Sequence, residues 1–249
     1  MDYAAFKKKL CASRQDICRE VLARKRSSIR VKKEDRALRN LDKVFSAALA
    51  ISNRKGFQAM SMRELGREAG MSMGALYGCF AGKEELLEML QHQGRTIASR
   101  TLLAAVAAEH DPAARLRAAV RTHLYLSEAM QPWFHFSFME AKNLSRRELA
   151  KAVASERFTE QVFADILEEG RRGGVFHHRD SRLTAGAIKA LLQDWYLKRG
   201  KHAERNVDVD GYARFVLELI TDIVRGPRNA ADDAKEDDRG EHRSASARS

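Results

Sequence analysis

Almost nothing in this 249-residue sequence is spaced for covalent chemistry. The serines, histidines and carboxylates, Ser137 among them, show no nucleophile–base spacing, so no catalytic residue and no enzyme is expected. His177-His178 stand side by side on a predicted loop without a Cys or carboxylate cluster to complete a metal site. They read as solvated loop histidines, and neither a metal nor another cofactor is expected. Cys11, Cys18 and Cys79 are odd in number and fit no zinc or redox spacing, the usage of a reducing compartment. The residue types that do gather are those of non-covalent recognition. Ser61, Arg63 and Arg67, then Ser72, Met73, Gly74, Ala75 and Tyr77, then Lys83, bring hydroxyls, cations and small side chains together. Small residues let a backbone approach a groove floor or a phosphate, and the Tyr77 ring and hydroxyl can pack and donate. Lys83 opens a helix whose free N–H groups also favour a phosphate.

The elements that would position these groups are all helical. Leu38, Leu41, Phe45, Ala48 and Leu49 repeat at three or four, predicting an amphipathic helix from Arg36 to about Arg54, ended by Gly56. Ser61-Met62-Arg63-Glu64 is a capping box, in which the serine oxygen caps a free N–H and Glu64 reaches back. It starts a helix with Met62, Leu65 and Ala69 inward. A second starts near Ser72 with Leu76 inward, and the tight Gly70-Met71-Ser72 turn makes the pair a helix-turn-helix unit of two helices, each eight or nine residues long. A longer helix follows from Lys83 toward Ala108. Others are predicted at 112–129, about 133–142, 146–171, from Ser181 through Trp195, and over Val209–Ile223, with no convincing strand.

Charge is distributed unevenly along this frame. The formal net charge is +11, and nine of those eleven excess charges fall in the first 95 residues, the footprint of a polyanion binder or of a solvated basic face. Residues 1–35 form a basic arm in which Phe6, Leu10, Ile17 and Val21 fall near helical spacing, while Arg24–Arg30 reads as unstructured. Residues 226–249 read as a disordered polar tail. No run nears the ~20 apolar residues of a membrane span, and no apolar stretch follows Lys7–Lys9 as in a secretory signal, so a cytoplasmic protein without membrane partners is expected.

The run Gly56–Leu65, then Glu68-Ala69-Gly70-Met71-Ser72-Met73-Gly74-Ala75-Leu76-Tyr77, then Phe80 and Lys83-Glu84-Glu85-Leu86, resembles the DNA-binding domain of the tetracycline-repressor (TetR/AcrR) family. The resemblance implies an all-α fold, with an N-terminal helix-turn-helix DNA-binding domain at 36–87. A larger helical domain for effector binding and dimerisation follows at 88–225. It also implies a homodimeric transcriptional regulator, a repressor released by a small effector, whose partner is double-stranded DNA with a near-palindromic operator. Tyr77 and Lys83 match the family's backbone-contacting tyrosine and lysine, the alternative for Tyr77 being to fill the core between helices. Gly78-Cys79 departs from the family pattern. The exposed face of the second helix is then Ser72, Met73, Ala75, Gly78 and Cys79, none of which makes a bidentate base contact. Either methyl contacts to thymine and DNA shape carry specificity, or other parts contribute, Arg63, Arg67 and the basic arm being the candidates.

Two further groups follow from position. Met130 to Met139 is the densest aromatic cluster, either core packing or, by the resemblance, the wall of an apolar effector pocket. Its candidates are His123, Met130, Trp133, Phe134, Phe138 and Met139, with Gln193 and Tyr196 as polar ends. An acyl- or aryl-coenzyme A would suit such a pocket, with Arg115, Arg117 and Arg121 meeting its phosphates. Leu191, Trp195, Val216, Leu219 and Ile223, on the last two helices, are candidates for a four-helix dimer interface or for the core within one chain. Two other functions fit the same residues: a non-specific nucleic-acid binder using its arm, or a ligand-binding helical protein whose DNA unit has degenerated.

Overall fold

The structure is a computed structural model that describes residues 1–10 and 34–225. The readings that fall on Cys11, Ile17, Cys18, Val21, Arg24–Arg30 and the tail from residue 226 lie outside the described residues. The elements are α1 (residues 3–10) and then α2 (Glu34–Lys55), α3 (Met62–Glu68), α4 (Met73–Tyr77), α5 (Lys83–Ala107), α6 (Pro112–Ala129), α7 (Gln131–Met139), α8 (Arg146–Arg172), α9 (Ser181–Leu197), α10 (Arg199–Glu204) and α11 (Val209–Arg225), with a 3-10 turn at Ala141–Asn143. Every described element is helical, and none is long and apolar enough to cross a membrane.

Local chemistry sets the boundaries. Asp111, Ser145 and Asp180 cap α6, α8 and α9 through their side-chain oxygens. Pro112 sits in the first turn of α6, where its missing N–H costs nothing. The cluster helix differs from expectation: α7 starts at Gln131, because Met130 both ends α6 and begins α7, and it stops at Met139.

Two helical layers result. α2, α3, α4 and the start of α5 form a small unit around Leu65, Leu76, Phe80 and Leu86, each fully buried. The larger part is built on α6, which packs against α5, α8, α9 and α11. α6 is buried nearly all round, polar Thr122, His123 and Ser127 included, as a helix enclosed by four others must be.

The first ten residues occupy an unexpected place. α1 lies against α6 and α11, with Phe6 and Leu10 buried and the rings of both Tyr3 and Phe6 set at a tilt against Tyr125. The Tyr3 amide donates to Asp210, and so does the Tyr125 hydroxyl. Burial and this carboxylate push the Tyr125 phenol above its ordinary value.

Candidate nucleic-acid interface and buried cavity

The helix-turn-helix is built by its caps. Ser61 Oγ accepts from the Glu64 amide at 3.2 Å and Ser72 Oγ from the Ala75 amide at 3.2 Å, fixing the starts of α3 and α4. Gly70 holds φ +63 in the turn between them, a conformation that glycine adopts without strain. Only half of the expected capping box forms. Glu64 turns instead to Lys55 at 2.6 Å, and Arg54 pairs with Glu68 at 3.2 Å. The Lys55 hydrogen bond holds Glu64 below the usual carboxylate range. Both acidic groups of α3 are thereby neutralised by the end of α2, leaving Arg63 and Arg67 exposed with no ion pair among the described residues.

α3 has 7 residues and α4 only 5, shorter than expected. Ser72, Met73 and Gly74 are exposed and Ala75 half-buried. Tyr77 is 47% exposed, so it does not fill the core. Cys79 is a correction: it is buried, with Sγ donating to the Ala75 carbonyl at 3.4 Å, and so lies off the exposed face. Burial raises its thiol above the ordinary value. Lys83 is half-buried. Its Nζ donates to the Gln58 carbonyl at 2.7 Å and sits 5.3 Å from the centre of the Phe57 ring. Burial lowers its pKa, Glu140 opposing. Lys83 therefore fastens the Phe57–Gln58 loop to α5 as well as facing outward.

The aromatic helix α7 works on two sides. Its outer side grips the small unit: Glu140, buried just past the end of α7, accepts from the Phe57 amide at 2.8 Å and from Asn143 Nδ2 at 2.8 Å. Phe136 meets Phe57 edge-on at 5.8 Å, and Asn53 bonds the Pro132 carbonyl at 3.0 Å and His135 Nδ1 at 3.1 Å. Its inner side lines a cavity of about 260 Å³ walled by α5, α6, α8 and α9 and open to solvent beside Phe138, Leu149 and Val153, which are exposed. Trp133 stands where the two sides meet. Its indole donates to the Leu90 carbonyl at 3.1 Å, and it lies so close to α5 that a Cβ on Gly94 would stand 1.9 Å from the ring.

Of the residues expected at an effector pocket, His123, Trp133, Phe134, Phe138, Gln193 and Tyr196 line this cavity. Met130 and Met139 do not: Met130 is buried at the α6–α7 joint, and Met139 is exposed toward the crevice beside Gly56 and Asn53. Arg115 is bound to Glu169 at 2.7 Å, and Arg117 and Arg121 line a separate groove beside α1, so no arginine of this set reaches the cavity. Sequence reasoning missed Arg95, Lys189 and Glu156, which line it too. The signal for Lys189 was present, since it falls on the buried stripe Ala185, Ile188, Leu192 and Tyr196 of α9.

Two interface candidates also need correcting. Trp195 and Val216 are fully buried inside the chain. The Trp195 indole donates to Glu128 at 3.0 Å beneath the Arg199 guanidinium, and α10, absent from the expectation, supplies His202 to stack on it. Leu191 and Leu219 are half-buried, while Ile223, Phe215 and Leu183 are 44%, 59% and 75% exposed. His178 is buried, not solvated, with Nε2 2.9 Å from Ser181 Oγ, whereas His177 is exposed. Burial lowers the pKa of His178. No group of three potential metal ligands occurs among the described residues.

Comparison with known proteins covers both layers. Residues 44–90 match the family model "Bacterial regulatory proteins, tetR family", and residues 109–220 match "Tetracyclin repressor-like, C-terminal domain". The HTH-type transcriptional regulator BetI of Serratia proteamaculans (strain 568) is 26% identical over 166 residues, covering 62% of this chain and 78% of its own length. A crystal structure of a tetR-family regulatory protein from Rhodococcus RHA1 superposes with TM-score 0.65 at 25% identity, covering 74% of this chain and 96% of that one. AibR, crystallised with isovaleryl coenzyme A and operator DNA, superposes with TM-score 0.64 at 19% identity over 72% of this chain and 97% of its own. The helix-turn-helix and the larger helical part being matched in the expected order, this chain belongs to the tetracycline-repressor family of DNA-binding transcriptional regulators.

Proposed function

We propose that the protein is a homodimeric, operator-specific repressor released when a small, largely apolar effector fills the cavity behind α7. The observation that carries this reading is the double role of α7, which lines the cavity on one side and holds the Phe57 loop on the other. An effector that fits one position of α7 better than another biases the pose of the small unit, and a preference of ~1–3 kcal/mol makes a usable switch. Ser61, Arg63, Arg67, Ser72, Met73, Ala75 and Tyr77 would face DNA. Lys83 would add its remaining N–H groups and the uncapped start of α5, whose N-cap Gly82 offers no side-chain bond. We place the boundary between the two functional parts near residue 87, with the DNA unit at 36–87 and the effector and dimer part at 88–225. The likeness to AibR, which was solved with isovaleryl coenzyme A, is in keeping with an acyl-type effector.

Dimerisation would use what α9 and α11 leave uncovered. Leu183 and Ala187 on α9, and Phe215, Leu219 and Ile223 on α11, form apolar stripes facing away from the chain's own core. Phe215→Glu is expected to convert the dimer to a monomer in analytical ultracentrifugation and to abolish retention of a palindromic operator. A dimer of unchanged mass would move the interface elsewhere.

The decisive experiment is selection of bound fragments from a random DNA pool at near-physiological salt. The proposed reading requires an enriched palindrome with two half-sites. Arg67→Ala should then weaken binding to every sequence and reduce the slope of log affinity against log salt by about one. Tyr77→Phe should weaken operator binding about 3–10-fold, the loss of one phosphate hydrogen bond. One observation favours a second reading, a ligand-binding protein with a degenerate DNA unit: no exposed residue of α4 offers a bidentate contact to a base. Absence of any retained DNA would support it, and retention without enrichment would point to non-specific packaging.

A further inference from the structure

The cavity behind α7 is apolar over most of its wall, yet its polar groups are unbalanced in one direction. Lys189 is 5% exposed and enters from α9. Its ammonium donates to His123 Nε2 at 3.0 Å and lies 3.4 Å from Glu156, a carboxylate whose side chain is 48% exposed and also accepts from Gln193. Because Lys189 donates to Nε2, the neutral ring carries its proton on Nδ1, and that buried donor has no partner. Burial, with Lys189 beside it, keeps the ring neutral by holding its pKa well below the ordinary value. Arg95 repeats the pattern from α5. Its Nη2 reaches Glu148 at 3.4 Å, already shared with Lys151, while its buried Nη1 has no partner. Gln91, fully buried and joined to the cavity wall through Ser137, also leaves its Nε2 unpaired. Native interiors seldom leave donors so placed, and here the unpaired buried groups around one cavity are all donors.

We propose that the cavity takes a compact apolar monocarboxylate, whose carboxylate is received by the unpaired donors at Lys189–His123 or at Arg95 and whose hydrocarbon part lies against Trp133, Phe134 and Tyr196. This deepens the effector reading and rests on it. Lys189 and Arg95 each face a carboxylate at 3.4 Å, Glu156 and Glu148, that is shared with Gln193 and Lys151. A ligand carboxylate therefore adds charge as well as the lone pairs that His123 Nδ1 and Arg95 Nη1 lack, where an acyl oxygen adds lone pairs alone. Size sets the class. At about 260 Å³ the cavity lies below the roughly 300–1,000 Å³ typical of drug-sized ligands. A short- or medium-chain fatty acid or a small aryl-alkanoic acid meets both conditions. The nucleotide of a coenzyme A thioester would have to lie outside.

The test uses the full chain without DNA, so that it is independent of the operator. Saturated monocarboxylates of four to ten carbons and phenylacetate are titrated calorimetrically beside the methyl ester, the primary alcohol and the coenzyme A thioester of each acid. In a Trp195→Phe background, quenching of the remaining Trp133 reports occupancy of this cavity. At least one acid is expected to bind at least tenfold more tightly than its ester, alcohol and thioester. Lys189→Met or Arg95→Met should erase that preference while the alcohol binds as before, which also shows that the variant is folded. Equal binding of acid, ester and alcohol overturns the carboxylate assignment and leaves the cavity as an effector site. Tighter binding of the thioester, unmoved by either substitution, overturns it in favour of coenzyme A recognition. Failure of every probe to quench Trp133 overturns both the assignment and the effector reading of the cavity.

Discussion

Gly94→Ala is expected to lower the thermal midpoint by roughly 5–15 °C and to stop ligands from entering the cavity, although alanine is the better helix former. Helix propensity favours the substitution by ~1 kcal/mol. Sterics oppose it more strongly. A Cβ at this position stands 1.9 Å from Trp133 Cε2 and 2.1 Å from its Nε1, so the indole must leave its seat on α5. Overpacking costs about 1–3 kcal/mol, and breaking the buried bond from Trp133 to the Leu90 carbonyl adds a further loss of ~1–3 kcal/mol. These terms sum to a net loss of ~1–5 kcal/mol, and the middle of that range, ~2–4 kcal/mol, corresponds to the stated shift at ~2–4 °C per kcal/mol for a protein of this size. Scanning calorimetry measures the shift, and Trp133 fluorescence reports the displaced ring. A midpoint at or above the parent's would show that the α5–α7 contact is looser than the structure has it.

Glu140→Ala should release the small unit from α7. The carboxylate is buried and holds the Phe57 amide, so its removal leaves a buried N–H without an acceptor, at a cost of ~1–3 kcal/mol. Amide exchange at Phe57 should accelerate by about 10–100-fold, since each ~1.4 kcal/mol is a factor of ten. Core amides of α6 should be unaffected. Glu140→Gln keeps an oxygen for the Phe57 amide and should show a much smaller effect, which separates the hydrogen bond from the charge. If protection at Phe57 survives in the alanine variant, coupling between the two parts does not pass through Glu140.

What could be read in the sequence was local. The starts of α3, α4 and α8 lie in the serine caps, and the turn at Gly70 in the one residue type at ease with its backbone angles. Periodicity also marked the apolar faces of α9 and α11. It did not say what covers them, so Trp195 and Val216, placed at an interface, lie in the chain's own core. The cavity was legible in part for the same reason. Aromatic residues on α7 announced it, but the Lys189–His123 bond joins positions 66 residues apart, and the Glu140–Phe57 bond joins positions 83 apart. Neither distance leaves a trace in local pattern. α10 is only 6 residues long, too short for a periodic signal.

The docking of α1 crosses the order of the sequence. Tyr3, Phe6 and Leu10 precede the DNA unit along the chain, yet they are seated on the large part, through the Tyr125 ring of α6 and the Asp210 carboxylate of α11. The first ten residues thus belong by their packing to the half that holds the cavity. Deleting them would uncover Tyr125 and take the Tyr3 amide from Asp210 there, while the contacts of α3 and α4 stayed as they are.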